Sequence, residues 1–344
     1  MSRSQLPNLV LTLIFFVACG RPGKTEQAPH PAPDAAVAHS ALSVGIQASP
    51  AMALVMVAKD QGFFEQAGVD VTINEFTAGK LALQALLAKA LDVAVSGEVP
   101  VALSTLQGNR LRVLGQVVER TIDEVRVVAR ADGTSDAARY FKAKKRKLAT
   151  SFGGGPEFFT YNFLKTLGVR ADQVELISQK PEDMPAALLS NSIDAISIFD
   201  PFAYIAETKL GNKAVTFKNG AVYSELYVVG VMEPTLTAKR SELRAFLRGL
   251  SLATAYTAEH PKEAQVVVAR HTKLDLETVA AIWPNFVFKP AITRRFVDYT
   301  TAEAKWAIEK DGASRATSVP DFAAVLYPEL LREVVPEAVH LDSD

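Results

Sequence analysis

Cysteine is almost missing from this chain. Cys19 is the only one in 344 residues, so no disulfide can close within it and no paired-cysteine zinc motif exists. Tryptophan occurs twice and histidine five times, and no H-E-x-x-H, G-x-S-x-G or G-x-x-x-x-G-K-[ST] pattern is present. These gaps remove the commonest metal-hydrolase, serine-hydrolase and phosphate-loop chemistries, and they give no reason to expect a cofactor. Charge of one sign is also lacking: the formal net charge is -1, which offers nothing general to nucleic acid or to an acidic membrane. The apolar run Leu9 to Ala18 is too short to span a bilayer.

What is present begins with that run. Arg3 ahead of it gives the profile of a secretory signal over residues 1–18. Phe16-Val17-Ala18-Cys19 resembles a bacterial lipobox, which makes Cys19 the expected site of lipid attachment. Residues 19–41 are rich in Pro, Ala and small polar residues without apolar period, and read as a flexible tether; His30 and His39 within it match no metal spacing.

The globular part is organised around residues 42–100. Leu42 to Ile46 is a short apolar strand, Gln47 to Pro50 has turn chemistry, and the helix after it stops at Gly62, where a positive φ suits glycine. Val69, Val71 and Ile73 alternate with Asp70, Thr72 and Asn74, the period of a strand. Leu83, Leu86, Leu87 and Ala90 are spaced as one helix face, and Val93 to Val95 form a third strand running into Ser96, Gly97 and Glu98. The pattern returns further on. Ala85-Leu86-Leu87, Asp92 and Glu98 align without a gap to Ala187-Leu188-Leu189, Asp194 and Asp200, and Gly68-Val69 matches Gly168-Val169. The chain therefore reads as two similar α/β lobes. Ligands of open α/β sheets sit beyond the carboxyl ends of the strands, so two facing lobes would share one cleft.

AKDQGFFEQAGVDV, the TAG turn, LALQALLAKALDVAVSGEVP and ALLSNSIDAISIFDPF together resemble the nitrate/sulfonate/taurine type of substrate-binding protein that serves ABC transporters, over about residues 42–275. The resemblance implies a two-lobed, type II periplasmic-binding-protein-like fold. Each lobe is a mixed sheet flanked by helices, with residues 42–121 and 224–344 in the first and 122–223 in the second. After Val231 everything is expected to be helical, with Phe296, Trp283 and Trp306 as packing residues. It also implies a monomer in the cell envelope, held to a membrane through Cys19, that hands a small molecule to a permease and binds no nucleic acid. The other readings are a tethered sensory module and a pyrimidine-forming enzyme of the same general fold.

The strand ends supply the expected ligand contacts: Gln47 and Ser49, Thr77 and Gly79, then Ser96, Gly97 and Glu98 from the first lobe. From the second come Ser151, Phe152, Gly153, Gly154, Glu157 and Phe158, with Phe199 and Asp200. Helix N-termini favour an anion, whereas Glu98, Glu157 and Asp200 favour an amine-bearing or heteroaromatic ligand. The basic run Lys142 to Lys147 is expected to be a solvated turn.

Overall fold

The computed structural model describes residues 40–120, 124–219, 223–311 and 318–341. The expected signal, Cys19 and most of the tether lie outside the described residues, as do residues 121–123 and 220–222.

Among the described residues twelve strands form, in chain order: β1 (Ser40–Gln47), β2 (Val69–Phe76), β3 (Val93–Gly97), β4 (Leu111–Arg120), β5 (Arg126–Arg130), β6 (Arg146–Thr150), β7 (Val174–Ser178), β8 (Ala195–Ile198), β9 (Ala214–Phe217), β10 (Leu226–Met232), β11 (Phe286–Thr293) and β12 (Val339–His340). They make a seven-stranded sheet, ordered β12-β11-β4-β10-β3-β1-β2, and a five-stranded sheet, ordered β7-β6-β8-β5-β9. β2 buries Val69 and Val71 and exposes Asp70 and Thr72, as its alternation requires, while β3 is buried on both faces. Gly62 and Gly68 take φ of 70° and 97° at the ends of the two helices between β1 and β2.

The internal repeat is structural. β1 pairs in parallel with β2 and β3 while β10 runs antiparallel beside β3; β6 pairs in parallel with β7 and β8 while β5 runs antiparallel beside β8. The aligned aspartates explain part of the match. Asp92 accepts from the Ser43 amide at 2.9 Å, and Asp194 from the Lys147 amide at 2.8 Å, so each carboxylate pins the entry of the neighbouring strand.

Two sequence expectations need correction. The region after Val231 is not wholly helical: β11 adds to β4, with a register shift between Phe288 and Ala291 that accommodates Pro290, and β12 adds to β11. The basic run is not one solvated turn. Lys142, Lys144, Lys145 and Lys147 are exposed, but Arg146 is buried, ion-paired to Asp132 and stacked over Tyr140 at 3.9 Å.

Each sheet has its own core, and the helix Arg294–Asp311 joins both. Phe296 and Ala304 belong to the core of the larger sheet, while Trp306 and Ala307 belong to that of the smaller one.

Gly249 lies mid-helix in Arg240–Glu259, where a Cβ would overlap the Phe64 ring, itself stacked on Phe246 with centroids 5.1 Å apart. Helix propensity alone favours alanine by about 1 kcal/mol. Overpacking at a closed contact costs about 1–3 kcal/mol, so Gly249→Ala is expected to lower the unfolding free energy in urea melts.

Candidate functional site

The carboxyl ends of β1, β3, β6 and β8 converge on one small cavity of about 20 Å³, room for about one water molecule. From the larger sheet and its loops it is lined by Gln47, Ala78, Gly79, Lys80, Gly97, Pro100, Glu225 and Tyr227. Ser151, Gly154, Gly155, Pro156 and Phe199 close it from the other side. Two helix N-termini face it, those of Gly79–Leu87 and Gly155–Thr166. Their dipoles give this space a positive potential.

Lys80 crosses the gap between the two sides. It sits in the first turn of its helix, where a cation opposes the helix dipole, and its Nζ donates to the Phe152 carbonyl at 2.5 Å and to Ser151 Oγ at 3.3 Å. Burial lowers its pKa, with Glu157 acting in the opposite direction. A cation held this way can exchange a carbonyl for a stronger acceptor.

The wall behind Lys80 is a rigid polar chain. Gln47 Oε1 accepts from the Gly79 amide at 3.2 Å and from the Tyr227 hydroxyl at 2.8 Å. Tyr227 in turn accepts from Arg120 Nη2 at 2.9 Å. The Arg120 guanidinium is fully buried, ion-paired to Glu124 and to Glu225 (Nε to Oε2, 3.3 Å), and lies over the rings of Tyr227, Phe199 and Phe286. Glycine sits at points of close approach. A Cβ on Gly79 would come 3.3 Å from Ser96 Cα, and one on Gly97 would come 2.8 Å from Glu225 Oε1.

Of the residues expected at the site, Gln47, Gly79, Gly97, Ser151, Gly154 and Phe199 line the cavity, and Phe152 touches Lys80 through its carbonyl. Ser49 and Ser96 are buried close by, with hydroxyls that find no partner among the described residues. Thr77 is exposed, and Gly153 (φ 76°) donates its amide to Glu157 Oε2 at 2.8 Å. Phe158 packs against Tyr223 and Trp306.

The three carboxylates that suggested an amine are otherwise engaged. Glu157 also binds Lys310 at 2.6 Å, and Asp200 accepts from Arg126, from Asn285 at 2.9 Å and from the Tyr204 amide at 3.1 Å. Glu98 accepts from the Tyr223 hydroxyl and the Leu226 amide, each at 2.7 Å. Sequence reasoning missed Lys80, Glu225 and Tyr227. A lysine opening a helix was a signal for the first; the other two reach the cavity only through the pairing of β10 with β3, which places Tyr227 opposite Gly97.

Behind the wall, Glu98, Glu225 and Glu303 form a buried carboxyl cluster. Burial first, then the like charge of Glu225, pushes Glu98 up to about 8; burial and Glu98 also push Glu303 well above the ordinary carboxylate range. Burial also raises Glu225, against the pull of Arg120. A carboxyl raised in the folded state stabilises fully below its unfolded value near 4.5, and this contribution is lost as pH climbs towards 8. Glu207, lowered by Arg126 despite its burial, has the opposite sign and loses its contribution below that value. Unfolding free energy is therefore expected to fall by a few kcal/mol between about pH 5 and about pH 8. Glu303→Gln should flatten that slope in urea melts; an unchanged slope would contradict the cluster's protonation.

Known proteins resemble this chain in sequence and in fold. A Bacillus subtilis (strain 168) protein named for binding aliphatic sulfonates is 26% identical over 287 residues, 80% of this chain and 81% of that protein. A Haemophilus influenzae protein named for thiamine biosynthesis is 26% identical over 235 residues, 67% of this chain and 72% of that protein. The crystal structure of the periplasmic aliphatic sulphonate binding protein SsuA from Escherichia coli superposes with a TM-score of 0.70 at 18% identity, covering 85% of this chain and 98% of that one. The fold is thus that of periplasmic binding proteins, two mixed sheets flanked by helices with a cleft between them. Residues 49–264 match the family described as NMT1/THI5 like, and the chain belongs to that family.

Proposed function

We propose that this protein is an extracytoplasmic solute-binding component of an ABC import system, and that it captures a small organic anion. The observation that carries the reading is Lys80 reaching from one sheet to the loop of the other inside a cavity faced by two helix N-termini. A sulfonate or similar group between Lys80 and the starts of the helices Gly79–Leu87 and Gly155–Thr166 would replace the Ser151 and Phe152 contacts with charge-assisted ones. The relatives named for sulfonates support this class.

The two lobes would be residues 42–121 with 224–344, and residues 122–223. The cavity has no room for such a solute, so capture involves opening and reclosing of the two lobes. The solute stabilises the closed form, whose surface a permease recognises. Attachment through Cys19 and the tether would keep the protein, as a monomer, at a membrane outside the cytoplasm.

The relative named for thiamine biosynthesis raises an enzymatic alternative. The histidines described here give it no support at the cleft. His260 packs on Tyr256, His271 bonds Asp60 and Glu75, and His340 lies in β12.

A thermal-shift panel of alkanesulfonates, taurine, nitrate and aromatic carboxylates tests the reading. A ligand at a hundred times its Kd adds about 2.7 kcal/mol to the native state, a clear rise in Tm. Lys80→Gln is expected to weaken that ligand by about ten- to a hundredfold, the worth of a hydrogen bond to a charged group. A panel without response, or a ligand indifferent to Lys80→Gln, would contradict it.

A further inference from the structure

We propose that Glu225 is the specificity-determining acid of the cleft: an anionic solute is captured together with one proton, which the Glu225 carboxyl holds and shares with the solute, while Glu98 and Glu303 behind it keep that proton in place. This rests on the solute-capture reading above. Glu225 lines the cavity, its Oε1 against Gly97 and its Oε2 towards Arg120. The groups facing it come from every neighbouring element. Arg120 ends β4, Glu124 begins the crossing into the smaller sheet, and Glu98 opens the helix Glu98–Leu106. Tyr223 and Tyr227 flank Glu225 in sequence, Glu303 lies on the helix Arg294–Asp311, and Lys80 stands across the cavity.

One guanidinium therefore serves two carboxylates, Glu124 and Glu225, and a second carboxyl pair lies directly behind. Glu98 and Glu303 have no ion pair among the described residues, and the buried Glu303 oxygens find no hydrogen-bond partner there, which favours the neutral carboxyl. Four acids around one arginine would repel an incoming anion if all were charged. A neutral Glu225 instead presents an O–H donor to it. The proton comes from water, no other bond changes, and linkage is reciprocal: the anion raises the proton affinity of Glu225, and the proton raises the anion's affinity.

The test is isothermal titration calorimetry of the protein with methanesulfonate and nitrate as probes, from about pH 6 to about pH 9, each in two buffers of different ionisation enthalpy. Uptake of up to one proton per anion is expected, with affinity falling about tenfold per pH unit over part of that range. Glu225→Gln, which keeps the Arg120 contact, should bind without proton uptake and with flat pH dependence. Glu303→Gln should keep the uptake but begin to lose affinity at lower pH. Buffer-independent heats with constant affinity in the unaltered protein would overturn the coupling alone. Uptake that persists in Glu225→Gln would also overturn it, placing the proton on Lys80. No heat from either probe at any pH would overturn anion capture and the coupling with it.

Discussion

A fully buried arginine calls for countercharge and hydrogen-bond partners, and Arg120 sets much of what surrounds it. Its charge calls in Glu124 and Glu225, its Nη2 fixes the Tyr227 hydroxyl, and its flat faces meet Phe199, Tyr227 and Phe286. The network runs on into the smaller sheet, because Glu124 also accepts from the Asp200 amide at 2.8 Å and Asp200 binds Arg126. Stripping one partner from such a centre costs about 3–5 kcal/mol, so the contacts among Arg120, Glu124 and Asp200 are strongly held.

That fixed point organises the cleft above it. Tyr227 passes the order on to Gln47, and Gln47 to the amide that opens the helix Gly79–Leu87. One wall is thereby preorganised, whereas the opposite wall is held by contacts that can exchange. Lys80 reaches the Ser151–Phe152 loop, and Lys310 reaches Glu157 while lying over Phe152 and Trp306. A rigid wall with an adaptable partner suits capture of a small solute, since little ordering remains to be done on binding.

The order of elements was legible in the sequence because period and turn chemistry are local. The glycines at 62 and 68 and the paired Asp92 and Asp194 each report a local backbone need. β11 was not legible, since Pro290 reads as a breaker until the neighbouring strand shows where a bulge absorbs it. At the site, strand-end residues such as Gln47 and Gly97 could be named from position alone. The direction of a carboxylate could not: Glu98, Glu157 and Asp200 stand next to cleft loops in sequence but turn to Tyr223, Lys310 and Arg126. Glu225 and Tyr227 arrive from a strand far along the chain, through an antiparallel pairing that no local pattern encodes.

The most direct measurement is a crystal structure grown with methanesulfonate. Capture between the sheets predicts the sulfonate oxygens within hydrogen-bonding distance of Lys80 Nζ, with the Lys80 bond to the Phe152 carbonyl broken. A sulfonate seated elsewhere, with Lys80 still on Phe152 and the cavity unchanged, would contradict it.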